Sequence, residues 1–194
     1  MSAKIAVVYH SGYGHTAVVA EHVAKGAAAA GAEAKLYKVE DFPNPETGPW
    51  AELAAADAIV FGAPTYMGSV SAPMKAFMDA SSKAWYGQQW KNKLAGGFTN
   101  SASWSGDKLN SLVQISIFAA QHGMLWVPTA MMPGHNSSTT SPENVNRIGS
   151  FLGVMAQSNA DQGPDLAPPP ADRQTAEIFG ARIAELAGRW SKAA

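Results

Sequence analysis

The stretch that most constrains the fold is Lys4–Thr16, KIAVVYHSGYGHT. An apolar run, Ile5–Tyr9, stops at a turn rich in hydroxyls and glycine, Ser11-Gly12-Tyr13-Gly14-His15-Thr16, and an alanine-rich helical segment starts at once. A β-branched run, a glycine turn and a helix, in that order, open a βαβ unit. The turn gathers free main-chain N–H groups at the positive end of a helix dipole, a geometry that holds a phosphate. It contains no Lys or Arg, so its donors are amides and the hydroxyls of Ser11 and Thr16. That set suits a terminal monophosphate held without a metal.

Other readings of the turn share part of this grammar. Gly12-Tyr13-Gly14-His15-Thr16-Ala17 formally fits the dinucleotide fingerprint G-x-G-x-x-G/A. Hydroxyls at both ends of the turn suit a monophosphate better than a pyrophosphate on bare backbone. A P-loop is excluded, because Gly26–Gly31 has the glycine spacing but Ala32 stands where Lys is required. A plain strand–turn–helix connection with no ligand has the same outline.

Downstream, apolar runs and helical segments alternate. Helix is predicted over Ala17–Ala30, stopped by Gly31, and a second strand over Glu33–Val39. A turn-rich link, Pro43–Pro49, leads to a short helix, Trp50–Ala56, and Ala58–Gly62 reads as a fully apolar third strand. Helix is expected over Ser71–Ser81, with Pro73 in its tolerant first turn, then strand over Leu94–Asn100. Helix over Lys108–Gln121, strand over Met124–Thr129 and helix over Asp172–Trp190 complete the pattern. Met131–Pro170 reads as a long loop rich in Pro, Gly, Ser and Asn. Alternating β and α elements imply an α/β fold, a doubly wound five-stranded parallel sheet of order 2-1-3-4-5, in one domain over residues 1–194.

Composition narrows the function classes. With no Cys, disulfides, thiolate catalysis and Cys-ligated metals are excluded. A net charge of −1 supplies no field to gather nucleic acid or anionic lipid. No apolar run reaches the roughly 18–20 residues of a membrane span, and a strand begins within a few residues of Met1, leaving no room for a signal peptide. A cytoplasmic protein without nucleic-acid or membrane partners is expected. The five histidines show no metal-ligand spacing, so no metal is expected.

In the 2-1-3-4-5 order, the loops after strands one, three and four lie side by side at the switch point, where ligands bind. The first is Ser11–Thr16. The third is Gly62-Ala63-Pro64-Thr65-Tyr66-Met67-Gly68-Ser69, and the fourth is Thr99-Asn100-Ser101-Ala102-Ser103-Trp104-Ser105-Gly106. Together they offer a phosphate cradle, a stiff proline followed by amides and apolar groups, and a set of amides and hydroxyls. That combination can bind a flat heterocycle carrying a ribityl phosphate, with Tyr13, Trp85 and Trp104 available for stacking.

These residues carry a resemblance to the flavodoxin-like FMN proteins, and within them to the Wrb-type NAD(P)H:quinone oxidoreductases. Ser11-x-Tyr13-Gly14-His15 resembles their phosphate loop, and Gly62-x-Pro64-Thr65 with Gly68 their second flavin loop. Phe77-Met78-Asp79 followed by Trp85 resembles their third helix and the Trp that closes over the flavin. His122-Gly123-Met124 with Val127-Pro128 resembles their junction between the fourth helix and the fifth strand. The likeness spans residues 4–135 and the last helix. The link from Asp41 to Trp50 is shorter than in these relatives, and Trp104 stands in a loop that is Gly-rich in them.

The resemblance implies FMN as cofactor and NAD(P)H as electron donor to a quinone or similar small acceptor. It implies that Ser11, Gly12, Tyr13, Gly14, His15 and Thr16 hold the phosphate. Pro64, Thr65, Tyr66, Met67 and Gly68 would take the ring and ribityl chain, and Asn100, Ser101, Ala102, Ser103, Trp104 and Gly106 the ring's polar edge. Tyr13, Trp85 and His122 would line the substrate side, with His122 as a catalytic proton donor or hydrogen-bonding group. One site used twice would give ping-pong kinetics. A flavodoxin-type electron carrier and an FMN-binding regulatory module are the alternatives. Trp85, Tyr86, Trp90 and Met131-Met132-Pro133, if exposed together, would drive assembly to a homodimer or homotetramer.

Overall fold

The computed structural model describes residues 2–193. The first strand, β1 (Lys4–Tyr9), alternates between two cores, with Ile5, Val7 and Tyr9 on one face and Ala6 and Val8 on the other. Every β1 residue after Lys4 is buried, as expected of a strand covered on both sides. Helix α1 (His15–Ala29) and the final helix α6 (Pro170–Ala193) cover the first face. They approach through glycine: a Cβ on Gly26 would lie 1.9 Å from the Glu177 carbonyl, and one on Gly180 would lie 1.9 Å from that of Val23.

The second strand β2 (Glu33–Lys38) is an edge strand, followed by a short 3-10 turn, Val39–Asp41, and helix α2 (Trp50–Ala55). Strand β3 (Ala58–Tyr66) is longer than its apolar run, because the chain stays extended through Pro64-Thr65-Tyr66 and folds back as β4 (Ser69–Val70). The third loop is therefore a hairpin whose two-residue turn, Met67-Gly68, has positive φ at both positions (48° and 75°), the combination that matches strand twist.

Helices α3 (Ala72–Ala80), α4 (Ser82–Tyr86) and α5 (Lys108–Gln121) flank the central strand β5 (Leu94–Ser101) in sequence, and α3 and α5 cover the second face. Trp90 is an aromatic hub of this layer and is 0% exposed. It packs on Phe61, Phe77, Phe118 and His122, which removes it from the exposed patch expected of it.

The sheet order is β2-β1-β3-β5-β6, the flavodoxin-like doubly wound arrangement, with β4 added to β3 and β7 to β5. The expected strand Met124–Thr129 is reduced to β6 (Leu125–Trp126). Val127 still donates to Ala95, but Pro128 has no N–H to continue the ladder. The chain departs and returns as β7 (Val154–Gln157), which pairs with the other half of β5. The fifth strand position is thus filled by two pieces, and the segment read as one long loop contains a strand. Among the described residues, no helix is long and apolar enough to cross a membrane.

Candidate functional site

A cavity of about 610 Å³ opens at the carboxyl ends of β1, β3 and β5. Its floor at one end is the start of α1. Gly14 occupies the N-cap position with φ of 91° and caps nothing with a side chain. The Ser11 hydroxyl instead accepts from the Ala17 N–H at 3.0 Å, and the Gly14 carbonyl accepts from Val18 at 3.1 Å. Among the described residues, the amides of His15 and Thr16 and the Thr16 hydroxyl find no protein partner. Uncapped amides beside a hydroxyl at a helix N-terminus are the donor set a phosphate monoester needs. His15 is fixed by its far nitrogen: Nε2–H donates to the Gln162 carbonyl at 2.7 Å, which turns Nδ1 away from that bond.

The middle of the cavity is the β3–β4 hairpin, with Pro64, Thr65, Tyr66, Met67 and Gly68 in its wall. Buried hydroxyl contacts anchor it: Thr65 Oγ1 lies 2.8 Å from both Thr99 Oγ1 and Ser111 Oγ. Tyr66 meets Tyr13 edge-on, with ring centroids 6.3 Å apart, so two aromatic rings stand at the mouth. The far end is the fourth loop, which contributes Asn100, Ser101, Ala102, Ser103 and Gly106. That loop is held from beneath by Gln157 donating to the Ala102 carbonyl and by Lys108 donating to Ser101 Oγ and to the Ser103 carbonyl. Among the described residues, no Asp, Glu, Lys or Arg lines the cavity.

Of the residues singled out from sequence, Tyr13, His15, Thr16, the five hairpin residues and five of the fourth-loop residues converge here. Ser11, Gly12 and Gly14 shape the loop without forming its wall. Three of the residues lie elsewhere on the chain. Trp104 points away from the cavity and lies under the Arg147 guanidinium, whose carbon sits 4.5 Å from the ring centre. Trp85 and His122 line a different depression, between α3, α4 and α5, because α5 runs back across the sheet before His122 is reached.

His122 is also ill-suited to give up a proton. It is 2% exposed, and burial pushes its imidazole down to about 4, so it is neutral near pH 7. Ser81 gives its hydroxyl proton to the Met78 carbonyl and accepts from His122 Nε2–H at 2.9 Å, leaving Nδ1 buried and without a partner among the described residues.

Ser158, Ala160, Gln162 and Gly163 complete the wall and were missed. They follow β7, and Ser158 is tied in by a hydroxyl donated to Asn100 Oδ1 at 2.9 Å.

A doubly wound sheet with an uncapped helix N-terminus and a long uncharged cleft across its switch point defines a flavodoxin-type mononucleotide-binding protein. The chain belongs to the NADPH-dependent FMN reductase family, whose model matches residues 3–137. It is 43% identical to flavodoxin FldP of Pseudomonas aeruginosa over 183 residues, 94% of this chain and 96% of that protein. It is 30% identical to an NAD(P)H dehydrogenase (quinone) of Rhizobium rhizogenes, covering 96% and 98% of the two chains. The crystal structure of a flavodoxin, WrbA-like protein from Agrobacterium tumefaciens superposes with a TM-score of 0.74 at 42% identity, covering 97% of this chain and 99% of that one.

Proposed function

We propose that the protein is an FMN-dependent NAD(P)H:quinone oxidoreductase working by two-electron, ping-pong transfer. The observation that carries this reading is the cavity itself. It runs from free amides at the α1 N-terminus to a polar, uncharged loop above β5, and this order of groups suits a ribityl phosphate joined to a flat ring. Family membership and the quinone dehydrogenase relative support the same reading.

FMN, when bound, supplies the chemistry: it takes a hydride from NAD(P)H and passes two electrons to the acceptor. The chain's residues bind and orient. The amides of His15 and Thr16 with the hydroxyls of Ser11 and Thr16 hold the phosphate. The Pro64–Gly68 hairpin holds the ribityl chain and one ring edge, and the amides and hydroxyls of Asn100–Ser103 take the ring's polar edge. Tyr13 and Tyr66 border the open face where nicotinamide and quinone take turns, and their apolar rings exclude water there.

The test is steady-state NAD(P)H oxidation with a soluble quinone. Parallel initial-rate plots are expected, and FMN rather than FAD should be released by heat in stoichiometric amount. A second reading, a one-electron carrier, is favoured by the relative named a flavodoxin. Carriers steer their partners with charge, and among the described residues no Asp, Glu, Lys or Arg lines the cavity wall here. A flavin that NAD(P)H reduces only over hours, with a persistent radical in photoreduction, would make the carrier the correct reading.

A further inference from the structure

Among the described residues, only three side chains carrying a full charge are buried: Lys108, Arg147 and Asp172. All three lie together behind the fourth loop. Arg147 and Asp172 form a two-point pair, Nε to Oδ1 at 2.7 Å and Nη2 to Oδ2 at 2.9 Å. Gln157 ties this pair to the loop, donating its main-chain N–H to Asp172 and its amide to the Ala102 carbonyl. Lys108 is 0% exposed and donates to Ser101 Oγ at 2.9 Å and to the Ser103 carbonyl. Two cations and one anion leave the cluster with a net charge of about +1, one residue's thickness behind the cavity wall.

Lys108 breaks two rules at once. It stands in the first turn of α5, where the helix dipole disfavours a cation, and it has lost its water. Loop anchoring alone needs only a neutral donor. A local rule broken beside a binding cavity points to a role in that cavity.

We infer, on the reading that the cavity holds FMN, that Lys108 is a positioning residue whose ammonium, held behind Ser101–Ser103, favours the two-electron reduced form of the flavin. Hydride transfer carries two electrons and one proton from NAD(P)H to the neutral oxidised ring. NAD(P)⁺ leaves, and the ring keeps one negative charge. The two electrons and that proton then pass to the quinone, which takes one more proton from solvent to become the quinol, and the ring is neutral again. Strand order puts the fourth loop at the end of the cleft away from the α1 cradle, so the cluster sits at the ring end, where this charge develops. A fixed cation there favours the state bearing two electrons and one negative charge over the neutral oxidised ring.

The experiment is a dye-equilibrated redox titration of the FMN-loaded protein, with Lys108→Met and Lys108→Arg beside the wild type. Lys108→Met is expected to lower the reduced-to-oxidised ratio about tenfold, a midpoint about 30 mV more negative for a two-electron couple. Lys108→Arg keeps the charge and should stay near the wild-type midpoint. Wild-type protein gives an independent readout. Desolvation lowers the Lys108 ammonium to about 8, with Asp172 opposing that shift and Arg147 adding to it. The midpoint should therefore show an additional fall totalling about 30 mV as pH rises through that titration, and this remains measurable even if Lys108→Met does not fold. A Lys108→Met midpoint equal to wild type, even with weaker FMN binding, would reduce Lys108 to a loop anchor and overturn the inference. So would a wild-type pH profile with no additional fall. Wild-type protein that binds no FMN would instead overturn the functional reading, and the inference with it.

Discussion

His15 and Gln162, 147 positions apart in the chain, are joined by a 2.7 Å hydrogen bond from ring nitrogen to main-chain oxygen. The bond links the loop that opens α1 to the segment after β7, so two walls of the cavity brace each other. His15→Ala removes this brace but keeps the main-chain N–H that would face the phosphate. FMN affinity should fall about fivefold, the worth of one ordinary hydrogen bond holding the cradle in place. Proteolysis within residues 158–163 should also become faster. Fluorescence titration and a timed digest check the two outcomes.

Ser11 and Thr16 should separate by readout. Ser11 Oγ already serves the Ala17 amide, so Ser11→Ala should lower the stability of the FMN-free protein by about 1 kcal/mol, the worth of a helix cap. Thr16 makes no such bond, and Thr16→Ala should spare the FMN-free protein from loss of that kind. The double variant should weaken FMN by roughly 2–4 kcal/mol. Thermal melts with and without FMN distinguish the two effects.

His122 predicts an acid limb in stability. Its folded value, about 4, lies below the ordinary 6.5. Between these values the unfolded chain binds a proton that the folded chain refuses, so stability rises with pH in that window. The contribution is complete above about pH 6.5 and is lost as pH falls toward 4, by up to about 3 kcal/mol. Denaturant melts from pH 7 to 4 should show this slope, and His122→Gln should flatten it. If His122 were the obligatory proton donor, His122→Gln would abolish quinone reduction. Its buried, neutral state predicts a catalytic rate within a few-fold of wild type.

Assembly rests on what remains exposed. Trp90 is buried, but Tyr86 is 86% exposed, Trp85 is partly open, and Leu109, Val113 and Ile117 line an exposed apolar stripe on α5. We expect a homodimer or homotetramer, with a sedimentation mass well above 20.3 kDa at micromolar protein. Tyr86→Glu together with Ile117→Glu should bring the mass back to the single chain. Wild-type protein sedimenting as a monomer at full activity would show that one chain suffices.

The parts of the site that could be read from sequence are those where local pattern fixes geometry. A glycine turn after a β-branched run fixed the first loop, and strand order brought it beside the third and fourth. The second turn of that logic fails where direction or long-range pairing decides. Nothing local says that Trp104 faces Arg147 rather than the cavity, since both sides of a loop are open to it. Val154–Gln157 is too short for a period to register, so β7 and the wall residues Ser158–Gly163 behind it were hidden in a Pro- and Gly-rich segment. Lys108 reads as an ordinary first-turn residue until the fold buries it between the fourth loop and the Arg147–Asp172 pair.

The spliced fifth strand makes residues 127–153 an excursion with an anchor in the sheet at each end. The chain leaves the sheet beside Ala95 and rejoins it beside Phe98, three residues further along the same neighbour. Both attachment points hold their own ladder bonds to β5, so the exposed part of the excursion, residues 135–144, can change in length without shifting the register of the strands beneath the cavity. The fixed point of the excursion is Arg147, which grips Asp172 and lies over Trp104, so a relative's excursion grafted between Trp126 and Val154 must keep that arginine to keep the fourth loop in place.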